Sequence, residues 1–440
     1  MRQMLLATVL LGALVAGCAP KDGQPPSSDK TGPVTVFTGG TIYTGNADQP
    51  VIDAVAVGSD GRIVAMVPPT SADWGDEDVT IVDLDGSVMF PGFTDSHAHL
   101  LGIGQRELTL NLEGTASIDE LVTRTEIEVW EKEPGEILFG RGWIETGWPE
   151  GRMPSAADLD QVSPDNPVIY VRADGHALVA NTAALKAADV YDLNEDPTGG
   201  RVERGDDGKA TGMVIDYAMA PVLELLSAPS EDDISLALET GAQTYVSRGW
   251  TGVHNMSVGR IEAPIMAGLA KEGRLPLRIY NAFDENAFDV ARSRQHETDT
   301  ITNRAVKLYM DGALGSRGAL LIEPYSDRPD TSGLELLDTN ALHNLMMDAA
   351  EDDVQLAIHA IGDLANRHIL ETFSALGYGP EKRWRIEHAQ ILAPDDVAQV
   401  GALGLIASMQ PSHAIGDLKF APDRLGVDRL AGAYAWQDML

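Results

Sequence analysis

Seven short apolar runs, separated by longer stretches of helical character, are the feature that most constrains the fold of this 440-residue chain. Apolar strands that alternate with helices are typical of a parallel sheet wrapped by helices. The pattern predicts an α/β fold, a (β/α)8 TIM-like barrel that is incomplete because seven strands are one short of closure. The runs are GFTDSHAHL, GWTGVHNM, LRIYNAF, AVKLYMDG, VQLAIHAIGD, RWRIEHAQ and GLIASMQPSH.

A different pattern occupies residues 34–90, where short β-rich runs alternate with turn signals. Ser59-Asp60-Gly61 predicts a hairpin turn between two of these runs. We expect a small β-sandwich here and the barrel over residues 91–440. A long interval, at about 101–247, separates the first barrel strand from the second and predicts an insertion above the barrel mouth.

The N terminus has the features of an export signal: one arginine, then LLATVLLGALVAG before Cys18. Val15-Ala16-Gly17-Cys18 resembles a bacterial lipobox, which implies removal of residues 1–17 and lipidation of Cys18. Residues 18–33, rich in Pro, Ser, Gly and Asp, predict a flexible tether. We expect a protein anchored by lipid on the periplasmic side of the bacterial cell envelope, and Ala19 favours the outer membrane. The apolar run is short for a transmembrane helix, the weaker alternative.

Composition narrows the possible partners. Lys and Arg number 32 against 67 Asp and Glu, a net charge of −35, which repels nucleic acid and anionic lipid headgroups. We therefore expect no nucleic-acid partner and membrane contact only through the lipid anchor. Cys18 is the only cysteine, so neither an intramolecular disulfide nor a catalytic thiol is predicted. The sequence leaves a homo-oligomer open.

Four histidines fall at the ends of strand runs. His97 and His99 are two residues apart on one strand, so both side chains point to the same face and can reach one metal ion. His359 and His388 end two later runs, and in a parallel barrel such ends form one rim. Hydrogen-bonded histidines at a strand end are the alternative for one pair, but convergence of two pairs favours a metal centre.

Lys307 lies inside the apolar run AVKLYMDG, where a bare ammonium group is costly to bury. Such a lysine requires either an ion pair or a chemical modification. A carboxylate such as Asp311 is the candidate partner for the ion pair, and the residues alone leave both possibilities open.

The ordered motifs PGFTDSHAHL, VKLYMDGALGSRGA, AIHAIGDLANR, IEHAQ and SMQPSHA resemble the YtcJ-like branch of the amidohydrolase superfamily, over essentially Val34 to Leu440. This branch is similar to N-substituted formamide deformylases and other hydrolases of non-peptide C–N bonds. The resemblance implies a distorted TIM barrel with a β-sandwich, a small amide-like substrate, and a divalent metal centre, commonly zinc, that activates a hydroxide. His97 and His99 would bind one ion, His359 and His388 a second, and a carboxylated Lys307 would bridge them; a single-ion variant stays open.

The resemblance also implies an aspartate on an eighth strand that moves the proton of the attacking water. No such segment follows AGAYAWQDML, so we expect the sequence to be truncated at its C terminus, as a gene fragment or an inactive protein. Asp417 and Asp438 are the nearest acids, but neither lies in a strand context of that kind. No catalytic acid is therefore assigned.

For the substrate, the resemblance implies that Trp143 in GRGW and Arg172, Asp174 and His176 in VRADGHALVAN line the barrel mouth. His413, which ends the seventh run, is a further candidate, and ordinary packing is the alternative for each residue. Two other functions are kept open: a mononuclear deaminase of the same superfamily with His388 in a catalytic role, and a binding lipoprotein on an inactive barrel. The number of metal ions per chain would distinguish them.

Overall fold

The computed structural model describes residues 33–66 and 78–440. The predicted signal peptide, Cys18 and the tether up to residue 32 lie outside these ranges. The chain divides into two compact units at the Pro91–Gly92 bond. Across the described ranges, every helix is too short or too polar to cross a bilayer.

The first unit forms one five-stranded sheet in its described residues. The strands are β1 (Val34–Tyr43), β2 (Val51–Val57), β3 (Ile63–Met66), β4 (Val79–Asp83) and β5 (Val88–Met89). Their order is β3-β2-β1-β4; β2 pairs antiparallel with β1 and β3, while β4 and β5 run parallel to β1. The predicted turn at Ser59-Asp60-Gly61 is confirmed, since it joins the antiparallel pair β2 and β3. A second layer, as in a sandwich, stays a prediction.

The second unit opens with β6 (Phe93–Ala98) and then builds a separate six-stranded mixed sheet before the next barrel strand. The order in that sheet is β11-β12-β10-β9-β8-β7, and it has its own apolar core. Its strands are β7 (Leu110–Asn111), β8 (Leu138–Trp143), β9 (Val168–Arg172), β10 (Ala177–Ala180), β11 (Gly200–Arg204) and β12 (Ala210–Asp216). The helices from β6 to the next barrel strand are α1 (Leu100–Leu108), α2 (Ile118–Val129), α3 (Ala156–Leu159), α4 (Thr182–Ala187), α5 (Ala220–Leu223) and α6 (Glu231–Ser247).

Helices α1 and α6, at the two ends of the interval predicted as an insertion, pack on the barrel. Leu100 and Leu238 belong to the barrel core. The two helices cross closely at Gly104, where a Cβ would lie 1.7 Å from the Ala237 carbonyl oxygen. The extra sheet itself therefore occupies about residues 110–216, inside the predicted 101–247.

The barrel is a parallel sheet of seven strands in the order β18-β17-β16-β15-β14-β13-β6. The seven predicted runs form these strands in the predicted sequence order. Within the described ranges β6 and β18 do not pair, so the barrel is nearly closed, and no eighth strand is seen there. The remaining strands are β13 (Trp250–Val258), β14 (Arg278–Phe283), β15 (Ile301–Tyr309), β16 (Gln355–Ala360), β17 (Arg385–His388) and β18 (Ile406–Ser408).

Helices follow the barrel strands, and the apolar faces of these helices pack against the strands to form one core. The α-helices are α7 (Glu262–Lys271), α8 (Phe288–Ser293), α9 (Thr339–Glu351), α10 (Asp363–Leu376), α11 (Pro394–Leu403), α12 (Ser412–Asp417), α13 (Ala421–Leu425) and α14 (Trp436–Met439). Short 3-10 helices occur at Tyr217–Met219, Glu285–Ala287, Pro380–Lys382 and Val427–Gly432.

Local sequence sets where these helices begin and end. Before α6, the Ser230 hydroxyl accepts from the Asp233 N–H, and the Asp233 carboxylate accepts from the Ser230 N–H, which is a reciprocal capping box. Helices α10 and α11 end at Gly377 and Gly404, both at positive φ, a conformation that glycine adopts without a Cβ clash. Gly377 and Gly404 thus end the helices that precede β17 and β18.

Candidate metal centre

All five predicted metal-ligand residues lie on barrel strands or directly after them. His97 is near the end of β6, and His99 follows as the N-cap of α1. Lys307 lies in β15, His359 in β16, and His388 is the last residue of β17. Because the strands are parallel and in register, with Tyr309 opposite His359 and Ala360 opposite His388, these side chains share one end of the barrel.

The four imidazoles form a continuous cluster. Ring centroids are 5.4 Å apart for His97 and His99, and 4.7 Å apart for His97 and His388. His388 is also 4.6 Å from His359. Histidines from three separate barrel strands and the segments directly after them thus lie close together.

Hydrogen bonds fix which nitrogen of two rings carries the proton. His97 Nδ1 lies 2.6 Å from a Glu387 carboxylate oxygen, and His388 Nδ1 lies 2.6 Å from Gln410 Oε1. A carboxylate only accepts, and Gln410 uses its amide nitrogen to donate to the Ser408 carbonyl, so both Nδ1 atoms donate. Each Nε2 then keeps a lone pair. Histidines that bind metals are commonly held in this way by a second acceptor.

The electrostatics favour neutral imidazoles. Burial lowers the pKa of His97, His99, His359 and His388, and the nearby Lys307 charge lowers each of these pKa values further. Neutral imidazole is the form that binds metal ions. Burial alone would raise the pKa of Glu387, but hydrogen bonds from His97 and Arg385 outweigh it and hold that pKa at about 2.

Lys307 is 2% exposed and lacks a counter-charge in the described chain. Its Nζ lies 4.3 Å from the centre of the Tyr309 ring, and no hydrogen bond or ion pair from it is found among the residues that the structure describes. The carboxylate of Asp311 instead accepts from three backbone N–H groups, those of Leu320, Ile361 and Gly362. The ion pair with Asp311, one of the two possibilities for this lysine, is not formed.

The side chains of the cluster are of the types that bind metal ions, but they do not already surround a common metal position. Within residues 33–66 and 78–440, no three His, Cys, Asp or Glu side chains are already arranged to hold a cation. Two observations indicate that the cluster fits a metal: His359 Nδ1 is buried without a hydrogen-bond partner, and His388 is held at φ 74°, a strained backbone conformation for a non-glycine residue.

Two of the five predicted substrate-binding residues join this cluster. The rings of His176 and His359 are 4.9 Å apart, and His413 stacks on His388 at 5.2 Å. His176 Nδ1 lies 2.7 Å from an Asp216 carboxylate oxygen, and His413 Nδ1 lies 2.5 Å from Gln390 Oε1. Each of these rings, like His97 and His388, therefore has its Nε2 available.

The other three predicted substrate residues have packing or ion-pair roles. Trp143 is fully buried in the core of the extra sheet, where its indole N–H donates to the Tyr170 carbonyl oxygen, so the structure corrects its predicted place at the mouth. Arg172 is 2% exposed and is paired with the carboxylates of both Glu145 and Asp174. The guanidinium of Arg172 is thus fully engaged, whereas Asp174 is an exposed residue that shares this one cation with Glu145.

Several residues of the site were missed by sequence reasoning. Glu387 and Arg385 lie inside the barrel, and Arg385 also donates to the Ser96 carbonyl on β6 and the Ser408 hydroxyl on β18. The sequence did contain a signal for this pair. Arg385 and Glu387 are charged residues inside the predicted strand RWRIEHAQ, and such residues are as unusual there as Lys307 is in its own run. Asp216 and Tyr309 had no such signal, because their proximity to the histidines depends on the fold.

His254 differs from the other clustered histidines. Its Nδ1 lies 2.5 Å from an Arg385 guanidinium nitrogen, which can only donate, so the proton of a neutral His254 is on Nε2. Burial, with the Arg385 charge, lowers the pKa of His254 to about 4. This residue belongs to the ionic network beneath the cluster.

Comparison with known proteins agrees with this architecture. The profile of the amidohydrolase family matches residues 80–440. The putative amidohydrolase YtcJ of Bacillus subtilis is 31% identical over 92% of this chain and 78% of its own length. N-substituted formamide deformylase of Arthrobacter pascens is 26% identical, over 85% of this chain and 72% of its own.

Among solved structures, an uncharacterized metal-dependent hydrolase from Pyrococcus horikoshii superposes with a TM-score of 0.70 at 27% identity. The superposition covers 92% of this chain and 80% of that protein. The match of sequence and structure extends across the barrel and the strands that carry the histidine cluster. The chain therefore belongs to the amidohydrolase family of metal-dependent hydrolases.

Proposed function

We propose that this protein hydrolyses a non-peptide C–N bond of the amide or N-substituted formamide type. The observation that carries the proposal is the cluster of four neutral imidazoles around a buried lysine without a carboxylate partner, at the end of a parallel barrel. The named activity of the Arthrobacter relative supports the choice of bond.

In this proposal His97 and His99 would hold one divalent ion, His359 and His388 would hold a second, and Lys307, as a carbamate, would be a ligand to both. Carboxylation converts an unpaired buried cation into an anion with two oxygen donors, which removes the cost of burying the bare ammonium. Zinc is the proposed metal because imidazole nitrogens suit it. When bound, the metal centre supplies a hydroxide at neutral pH and polarises the substrate carbonyl.

The residues of this chain would prepare the site in two ways. Glu387 and Gln410 hold His97 and His388 so that Nε2 of each ring stays unprotonated. Asp216 and Gln390 accept from Nδ1 of His176 and His413, respectively, so that Nε2 of each ring would be the atom that hydrogen-bonds to a substrate. Burial of the cluster limits the water that competes for these contacts.

The test combines metal analysis with hydrolysis. We expect one or two metal ions per chain and release of formate and benzylamine from N-benzylformamide. Lys307→Ala should lose bound metal and lower kcat/KM by at least about 1000-fold, because metal sites contribute several kcal/mol to the transition state. Lys271→Ala, at an exposed position at the end of α7, is the matched control and should keep both.

Carboxylation has a separate readout. After incubation with ¹³C-bicarbonate, the wild type should show a carbamate carbon signal that Lys307→Ala lacks. Metal and activity that persist in Lys307→Ala would contradict the bridging role. One ion per chain with ammonia as the product would instead support the mononuclear deaminase.

A further inference from the structure

Arg141, which neither the sequence reasoning nor the proposed metal centre uses, lies beside the histidine cluster. It projects from β8 of the extra sheet and is half-buried. Its guanidinium carbon is 3.5 Å from the position of a Cβ on Gly102, and one terminal nitrogen is 3.3 Å from the corresponding position on Gly175. Gly102 lies three residues after His99, and Gly175 directly precedes His176, so the guanidinium lies between the two segments that carry these histidines.

The Arg141 side chain has no hydrogen bond and no ion pair with any residue in the described part of the chain. Neighbouring arginines of the same region are all paired: Arg106 with Glu107 and Glu113, and Arg124 with Glu120. The nearest acid that influences Arg141 is Asp174, whose carboxylate is already bound by Arg172. An unpaired arginine is conspicuous in a chain with 67 acidic residues.

An enclosed guanidinium without a partner is energetically unfavourable, because arginine stays charged at any physiological pH and loses part of its hydration on burial. Its planar array of donors matches a carboxylate, which can bind through two parallel hydrogen bonds. The vacant donors lie next to the segments that carry His99 and His176.

We propose that Arg141 binds an anionic group of the substrate, so that the preferred substrates are amides that carry a carboxylate. The inference deepens the proposed function and rests on it for the position of the scissile bond. Gly102 and Gly175 keep the approach to the guanidinium open, because a side chain at either position would lie against it. Arg141 is thus a specificity-determining residue contributed by the extra sheet.

Equilibrium binding to the full chain, stripped of metal so that no turnover occurs, tests the anion site directly. The probes are N-formylphenylalanine and N-benzylsuccinamic acid, with the carboxylate on opposite sides of the amide, each paired with its uncharged primary amide. Hydrogen bonds to charged groups contribute roughly 1.5–3 kcal/mol, so we expect roughly 10- to 100-fold tighter binding of the carboxylate in at least one pair. Arg141→Met should abolish this preference, and Arg141→Lys should retain part of it.

Arg248→Met, at an exposed arginine after α6, is the control and should keep the preference. Equal binding of acid and amide in both pairs, or an unchanged preference in Arg141→Met, would overturn the inference.

Hydrolysis by the metal-loaded protein tests the proposed function separately from the anion site. Arg141→Met should lower kcat/KM for the anionic substrate and leave that for the amide within about 3-fold. If the carboxylate probes bind in an Arg141-dependent way but are not hydrolysed, the anion site is supported and the proposed reaction is refuted.

Discussion

Glu387 shows how one residue sets the chemistry of another. Its carboxylate accepts from His97 Nδ1 and also from two nitrogens of Arg385. The arginine keeps Glu387 ionised in a fully buried position, and the ionised carboxylate in turn fixes the His97 tautomer. A ring that can turn or change tautomer presents its lone pair toward the metal centre only part of the time.

Glu387→Gln is expected to weaken metal binding about 10- to 100-fold, the usual effect of removing such an outer partner. An amide can still accept a hydrogen bond, but it no longer balances the Arg385 charge. Competition with a chromogenic chelator measures the change in metal affinity. Glu371→Gln, on the exposed face of α10, should leave it unchanged, and equal affinities for the wild type and Glu387→Gln would show that the pairing does not support the metal.

At the scale of elements, the contact between α1 and α6 positions His99. His99 is the N-cap residue of α1, so any displacement of this helix moves the imidazole. The closeness of the two helices depends on Gly104 and on Gly241, where a Cβ would lie 2.4 Å from the Leu100 carbonyl oxygen. Contacts this short with backbone atoms cannot be relieved by a change of side-chain rotamer.

Gly104→Ala should therefore destabilise the protein by about 1–3 kcal/mol or more and lower metal affinity as well. Gly268→Ala in α7 is the matched control, since nothing lies within 4 Å of a Cβ there. In that open helical position alanine should stabilise the protein by about 0.4–1 kcal/mol. Urea denaturation measures both changes, and a neutral Gly104→Ala would argue against tight packing of the helices.

At the scale of the whole molecule, buried neutral histidines make stability depend on pH. Burial lowers the pKa of His413 to about 4, and burial with the Arg385 charge does the same for His254. An unfolded histidine titrates near 6.5, so between pH 6.5 and 4 the unfolded chain binds more protons than the native one. This stability is present above pH 6.5 and is lost as the pH falls toward 4. Other buried groups oppose the trend. The bond to Asp216 outweighs burial and raises the pKa of His176, and burial raises the pKa of Asp311 and Glu262 to about 7 and that of Asp417 to about 6.

In the metal-stripped protein we expect each buried neutral histidine to make the unfolding free energy fall as the pH drops from 6.5 to 4, which adds to the slope of that free energy against pH. His254→Gln, which can still accept from Arg385, should reduce this slope by up to about 1.4 kcal/mol per pH unit, the value for one proton. Urea titrations at several pH values measure the slope. His296→Gln, at an exposed position, should leave it unaltered, and a wild-type slope in His254→Gln would contradict a neutral buried His254.

Sequence periodicity alone determined the seven barrel strands and their order, because strands of a parallel sheet are buried on both faces and read as uninterrupted apolar runs. It also located the metal-ligand candidates, since histidine and lysine are rare in such runs. Tertiary structure decided the contacts that depend on distant segments. Glu387 meets His97 across 290 positions, Asp216 orients His176, and Arg141 of another sheet lies between the segments that carry His99 and His176. Periodicity predicts which residues of a strand are buried. Which side chains they contact depends on how the fold brings distant segments of the chain together.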